Sequence, residues 1–316
     1  MLVVGLAGGP FAGPLAAWDG EGHMAVAWVA YQQLTQASKD RVDVLLRKNP
    51  YYNNQWKALL PAGVSAAEKK LLVFMLAATW ADAIKGDSTY SDDGPDPGGN
   101  VPGGITSTQN IGYSDKLRHR YWHFVDLGFS TDGTAVPATP TPDAETQIAV
   151  FREVLSSNQP DTLKSYDLVW LMHLVGDVHQ PLHCTTRVEA SHPSGDAGGN
   201  SVKVCPGTCT GVENPGALHA YWDNLLGTLT KPDEVLPVAQ ALPAADAVKA
   251  TDVNGLDWVI ESRGLAETAV YVGPVGAGWG PFALTPEYES AAAALARQQI
   301  ALAGARLAKI LNAELK

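Results

Sequence analysis

One helical run constrains this chain more than any other feature. Residues 168–183 read LVWLMHLVGDVHQPLH, an apolar helix pattern that stops at Pro181. His173 and Asp177 sit in it four residues apart. Positions i and i+4 share one helix face, so an imidazole and a carboxylate can point at a single metal ion. His183 follows where the chain turns past Pro181, and the same spacing recurs in GALHAYWDNLL, at His219 and Asp223. Asp82 stands in TWADAIK at the end of an apolar helix, His123 in YWHFVD, and His23 five residues after Trp18. Zinc favours His nitrogen and Asp oxygen in such sets, with a position left open where catalysis needs one. A single His on an apolar helix is ordinarily a hydrogen-bonded core or surface residue; two i, i+4 His/Asp pairs argue for ligands. His119, His179 and His192 lack that context and are assigned structural or solvated roles, and Trp80, Trp170 and Trp222 are assigned to the core.

The rest of the chain reads mostly as helix. Apolar residues fall at helical spacing over 22–36, 39–47, 66–85, 143–157, 163–180, 216–227, 241–264 and 284–314. A Gly/Pro/Asp-rich loop is expected over 86–115, a second loop over 190–216, and within the latter GNSVKVC is the best short strand. No internal repeat or strong linker divides the chain, so residues 18–316 are expected to form one mainly α domain with long loops and a short β-hairpin. With 316 residues and 46% hydrophobic content, a sizeable core is available and global disorder is excluded. The net charge of −11 excludes the broad basic footprint by which many proteins grip nucleic acid. Three cysteines make no disulfide framework: Cys205 and Cys209 can close a small loop, or all three can be thiols.

Residues 1–17, MLVVGLAGGPFAGPLAA, carry no charge and end in small residues. The stretch is too short and too rich in Gly and Pro to span a membrane. It reads as the apolar region and cleavage site of a secretory signal peptide, without the usual basic segment before it. Cleavage after Ala17 would make Trp18 the new N-terminus. No other segment resembles a membrane span, so a soluble mature protein, secreted or periplasmic, is expected.

Together these pieces resemble a known family. W-x4-H (Trp18 to His23), WAD (80–82), HFVD (123–126), H-x3-D-x5-H (173–183), GGN (198–200) and HAYWD (219–223) stand in the order found in the single-strand-specific zinc nucleases of fungi and plants and their bacterial relatives, the S1/P1 nuclease family. The resemblance spans residues 18 to 223; residues 224–316 carry no motif and are assigned to helical packing. It implies a mainly helical fold with three Zn²⁺ at the bottom of a cleft. Carried over position by position, the first ion is held by Asp82, His123, His173 and Asp177. The second is held by His183, His219 and Asp223. The third is held by His23, Asp177 and Trp18, the last through its α-amino group and carbonyl oxygen, so that leader cleavage and metal loading are coupled.

The implied activity is hydrolysis of single-stranded DNA and RNA to 5′-phosphate products, with 3′-nucleotidase activity, by a monomer that does not bind membranes. Zinc lowers the pKa of a bound water and thereby supplies a nucleophile at mild pH. Lys85, one helical turn after Asp82, matches a cationic residue of the family that holds the transferring phosphate. Phe124, Asp126 and Asn200 match its base pocket, the ring stacking and the polar groups reading the base edge; Phe124 also reads as core. Stacking needs an unpaired base, which accounts for single-strand preference. Two other readings compete: a zinc-dependent phospholipase C, whose last ligand is typically Glu where this chain has Asp223, and a noncatalytic zinc-binding secreted protein, in which Lys85 and the Asn200 pocket would have no purpose. Three Zn²⁺ would bring the charge of −11 to about −5, with the positive charge concentrated in one cleft.

Overall fold

A computed structural model describes residues 18–93 and 116–315 of the chain. The expected leader, 1–17, lies outside the described residues, as does most of the 86–115 loop. The helices are α1 (Gly20–Gln33), α2 (Gln36–Leu46), α3 (Tyr51–Asn54), α4 (Ala66–Ala77) and α5 (Trp80–Ala83), then α6 (Ala144–Ser156), α7 (Asp161–Asp177), α8 (Leu218–Asp223), α9 (Pro232–Gln240), α10 (Gly255–Leu265) and α11 (Pro286–Glu314). Among the described residues, five short strands accompany them: β1 (Gly128–Ser130), β2 (Thr186–Val188), β3 (Lys203–Pro206), β4 (Gly216–Ala217) and β5 (Phe282–Leu284). The fold is mainly α.

The centre of the molecule is α7. Every residue from Lys164 to Asp177 is buried, as expected of a helix with no wholly polar face. Helices α1, α2, α5, α6 and α11 pack around it. Its first residue, Asp161, makes a two-pronged ion pair with Arg41 of α2, at 2.7 and 3.0 Å. Beside it an aromatic stack stiffens the core. Trp80 meets Trp170 edge-on with centroids 5.9 Å apart, and Trp122 meets Trp170 at 5.1 Å. Such pairs add roughly 0.5–1.5 kcal/mol each beyond the apolar area they bury. Capping boxes start α4, at Ser65 and Glu68, and α6, at Asp143 and Thr146.

Strand β3 pairs antiparallel with β4 across an intervening loop, which supplies the expected hairpin. It also pairs in parallel with β5, with Cys205 opposite Ala283; that third strand was not expected. A separate parallel pair joins β1 to β2, with Gly128 opposite Thr186. A smaller apolar cluster, including Leu182, Val202, Val204, Leu218, Trp222, Leu284 and Tyr288, lies under these strands. Cys205 and Cys209 form a disulfide, and Cys184 is a buried thiol.

Two helix expectations need correction. The run 66–85 is broken: α4 ends at Ala77 and the chain restarts at Trp80, with Thr79 Oγ1 donating to the Leu76 carbonyl at 2.9 Å. The run 241–264 becomes α-helix only at Gly255: Pro243 and a string of Asp-capped turns hold 241–254 out of it, apart from a single 3₁₀ turn at Lys249–Thr251. The residues just before it form α9, which was not expected; Pro232 sits in its first turn and Pro237 inside it.

Candidate metal centre

Among the described residues, three groups of side chains converge: His23, His173 and Asp177; Asp82, His123 and His173; and His183, His219 and Asp223. Within each group the candidate ligand atoms lie within 4.8 Å of one another. The first two groups touch. Asp177 Oδ1 is 3.2 Å from His23 Nε2, while Oδ2 is 3.1 Å from His123 Nδ1 and 3.4 Å from His173 Nε2. One carboxylate thus faces both groups, with one oxygen toward each. His173 Nε2 lies 3.5 Å from Asp82 Oδ1 and 3.0 Å from His123 Nδ1. In the third group the Nε2 atoms of His183 and His219 are 3.0 Å apart, and Asp223 sends Oδ1 to 3.7 Å from one and Oδ2 to 3.5 Å from the other. Ligands of a tetrahedral zinc with bonds of about 2.0–2.1 Å stand roughly 3.3 Å apart, and these separations straddle that value.

The backbone fixes which nitrogen faces inward. His173 Nδ1 donates to the Ala78 carbonyl at 2.8 Å, His183 Nδ1 to the His123 carbonyl at 2.7 Å, and His219 Nδ1 to the Gly198 carbonyl at 2.8 Å. A carbonyl only accepts, so Nδ1 carries the proton in each ring and Nε2 presents its lone pair to the group. The break after α4 therefore has a purpose: the turn at Ala78–Thr79 places the Ala78 carbonyl under His173. Two glycines make room. A Cβ on Gly176 would stand 2.8 Å from His23 Nδ1, and one on Gly198 would stand 2.4 Å from the Leu182 carbonyl oxygen at a φ of +60°.

Burial and charge act together on these groups. Burial opposes the charged form of Asp82, yet the neighbouring Lys85 and His173 hold its carboxyl well below the usual range. Asp177 is likewise held low against its burial by His173, His123 and His23. Burial pushes His123 down to about 3, and with Lys85 beside it the ring stays neutral, the form that binds metal. Burial also lowers His23 and His219. His173 and His183 are raised despite their burial, because carboxylates face them.

The eight His and Asp side chains expected as ligands are thus brought together. Trp18 is fully buried and packs on Gly22, where a Cβ would lie 2.7 Å from its own. The next residue, Asp19, donates its N–H to the Asp223 carbonyl at 3.0 Å. Residue 18 is thereby held between the start of α1, which carries His23, and the end of α8, which carries Asp223. Lys85 Nζ is buried 2.7 Å from Asp82 Oδ1. Asn200 donates to the Ala197 carbonyl, and its Oδ1 is buried with no hydrogen-bond partner among the described residues. Asp126 is half-buried, and Phe124 is buried in the main core. His119 and His179 are structural: His119 stacks on Trp122 at 3.6 Å, and His179 meets Arg306 at 3.0 Å. Sequence reasoning missed Gln180, fully buried between two candidate ligands of the quoted run, which donates to Asp223 Oδ1 at 2.7 Å.

The family model for S1/P1 nucleases matches residues 18–316. The chain belongs to the S1/P1 nuclease family. No curated protein matches it in sequence. S1/P1 nucleases are metal-dependent hydrolases, and the three His/Asp groups of this member are sites that could bind metal. The side chains fit cations on structural grounds as well. His23 Nε2 and Asp177 Oδ1 face each other at 3.2 Å, fully buried, yet neither has hydrogen-bond geometry to any partner among the described residues. Buried polar atoms left so are costly unless a cation satisfies them.

Proposed function

We propose that this S1/P1 nuclease hydrolyses single-stranded DNA and RNA to 5′-phosphate products and releases phosphate from 3′-nucleotides, with three Zn²⁺ held by Trp18, His23, Asp82, His123, His173, Asp177, His183, His219 and Asp223. The observation that carries this reading is the shared Asp177 carboxylate, whose two oxygens face two adjoining ligand groups in a chain of this family. When bound, zinc would supply a water of lowered pKa and positive charge for the phosphate oxygens.

The chain's own residues do the rest. Asp82 and Asp177, held ionised by their neighbours, keep the histidine rings oriented. Lys85 sets an ammonium at the edge of this acidic cluster, in reach of an anionic phosphate. Asn200 Oδ1 remains available to accept from a base edge, with Asp126 as the second polar group and Phe124 as the apolar wall of the base pocket. Cleavage before Trp18 during export would free the α-amine at the residue held between α1 and α8, and would place the working enzyme outside the cytoplasm.

Zinc-loaded protein beginning at Trp18 is expected to degrade single-stranded DNA and RNA and to leave duplex DNA and phosphatidylcholine largely intact. Cleavage of phosphatidylcholine with single-stranded nucleic acid untouched would replace this reading with a phospholipase C.

A further inference from the structure

The loop that carries GGN is tied down by a buried carboxylate that no metal group contains. Asp196 is 1% exposed. Its Oδ1 accepts from Arg187 N–H at 2.9 Å and from Gly199 N–H at 3.2 Å; its Oδ2 accepts from the Tyr271 hydroxyl at 2.7 Å. Arg187 holds the other side. Its Nε lies 3.7 Å from Asp196 and 3.3 Å from Glu189, its guanidinium donates to the carbonyls of Gly276 and Gly278, and it rests 4.7 Å over the Tyr271 ring. The carboxylate is therefore fixed from four directions.

Gly199 N–H and Gly198 C=O belong to the same peptide unit. Asp196 accepts from its N–H end, and His219 Nδ1 donates to its C=O end at 2.8 Å. Hydrogen bonds in such a chain polarise one another: a carboxylate on the N–H makes the carbonyl oxygen a better acceptor. The arrangement is a carboxylate–peptide–histidine relay, in which one peptide plane does what a direct carboxylate does beside many metal-binding histidines. The Ala78 carbonyl under His173 has no such support, since the Thr79 N–H of its peptide donates to an ordinary helical-turn carbonyl, Leu76.

We propose that Asp196 is a positioning residue for His219, acting through the Gly198–Gly199 peptide to hold the ring with Nε2 toward His183 and Asp223. The inference rests on the zinc reading given above. Arg187 and Tyr271 hold the carboxylate in place, and the same peptide carries the chain into Asn200, so one network sets both a ligand ring and the start of the base pocket.

The test is zinc affinity, measured by chelator competition on protein beginning at Trp18, in the wild type and in Asp196→Asn. An amide is uncharged and accepts at one end only, so the variant no longer sets an anionic oxygen on the Gly199 N–H and loses the acceptor for the Tyr271 hydroxyl. One zinc should weaken about 10–100-fold, the range for loss of an outer partner of a ligand, while the others keep wild-type affinity. In the metal-free proteins, ¹⁵N shifts of His219 should report an Nδ1-protonated ring in the wild type and a tautomer mixture in the variant. Unchanged affinity for every zinc, with only a lower Tm shared by metal-free and loaded protein, would reduce Asp196 to a structural residue and overturn the proposal. If Asp196→Asn does not fold, Tyr271→Phe carries the test: selective weakening of one zinc, several-fold and smaller, supports the relay, and equal or no weakening refutes it. His219→Ala separates the two levels, because an unchanged zinc count there would remove the ion itself and with it both readings.

Discussion

The two halves of the candidate metal centre are built by different means. His23, Asp82, His173 and Asp177 stand on helices packed in the main core, where His23 stacks on His173 at 3.8 Å and Trp170 backs His123 at 5.3 Å. Their positions follow from helix geometry and close packing, which tolerate little displacement. His183, His219 and Asp223 stand on a turn and a six-residue helix between the main core and the small strand cluster. Their positions follow from single hydrogen bonds: the His123 and Gly198 carbonyls on the rings and Gln180 on the carboxylate. The first half is held by redundancy and the second by a few named contacts. Damage to a supporting residue should therefore be felt most in the second half, whereas loss of a shared ligand should be felt most in the first.

The largest effect is expected from Asp177→Asn. One side chain faces two groups, so the variant should lose zinc from both and fall in kcat/KM by on the order of 10³. Lys85→Ala should keep its zinc and lose roughly 10², the scale for one electrostatic contact to the reacting group. Steady-state kinetics on single-stranded DNA with parallel metal analysis separates them, and equal losses would argue against the shared role of Asp177. Gln180→Ala comes next, with zinc at the His183–His219–Asp223 group about 10-fold weaker and the helix-borne ions unaffected in chelator competition. Gly176→Ala should be the mildest of the four, felt at His23 and the zinc it would hold. Its Cβ must push His23 aside, which costs about 1–3 kcal/mol as overpacking does and reads out as a lower Tm. A weaker zinc in the loop-borne half of that variant would show the two halves to be less independent than their construction implies.

The contrast also explains what was legible in the sequence. His173 with Asp177 and His219 with Asp223 are readable because helical periodicity alone puts i and i+4 on one face. Asp82, His123 and His23 read as candidate ligands only through the order of the family's motifs, since nothing local shows that residues so far apart meet. The break at Ala78–Thr79 is hidden because residues 66–85 contain no Gly or Pro; there the Ala78 carbonyl accepts from the His173 ring, 95 residues away. Residues 241–254 misled in the opposite way, their alanines suggesting helix while Pro243 and the Asp246 and Asp252 turns decided otherwise. Gln180, Asp196, Arg187 and Tyr271 act through side-chain and backbone partners brought close only by the fold, and such contacts leave no spacing to read. The one signal on offer was Asp196, two residues before GGN.

The central claim is that these three groups hold three zinc ions in one connected site. Zinc content by mass spectrometry, on exhaustively dialysed protein beginning at Trp18 and on Asp177→Asn, tests it most directly. The account predicts three zinc ions per chain, falling to the one held by His183, His219 and Asp223 in the variant. A wild type that retains one ion or none, or a variant that keeps the full complement, would contradict it.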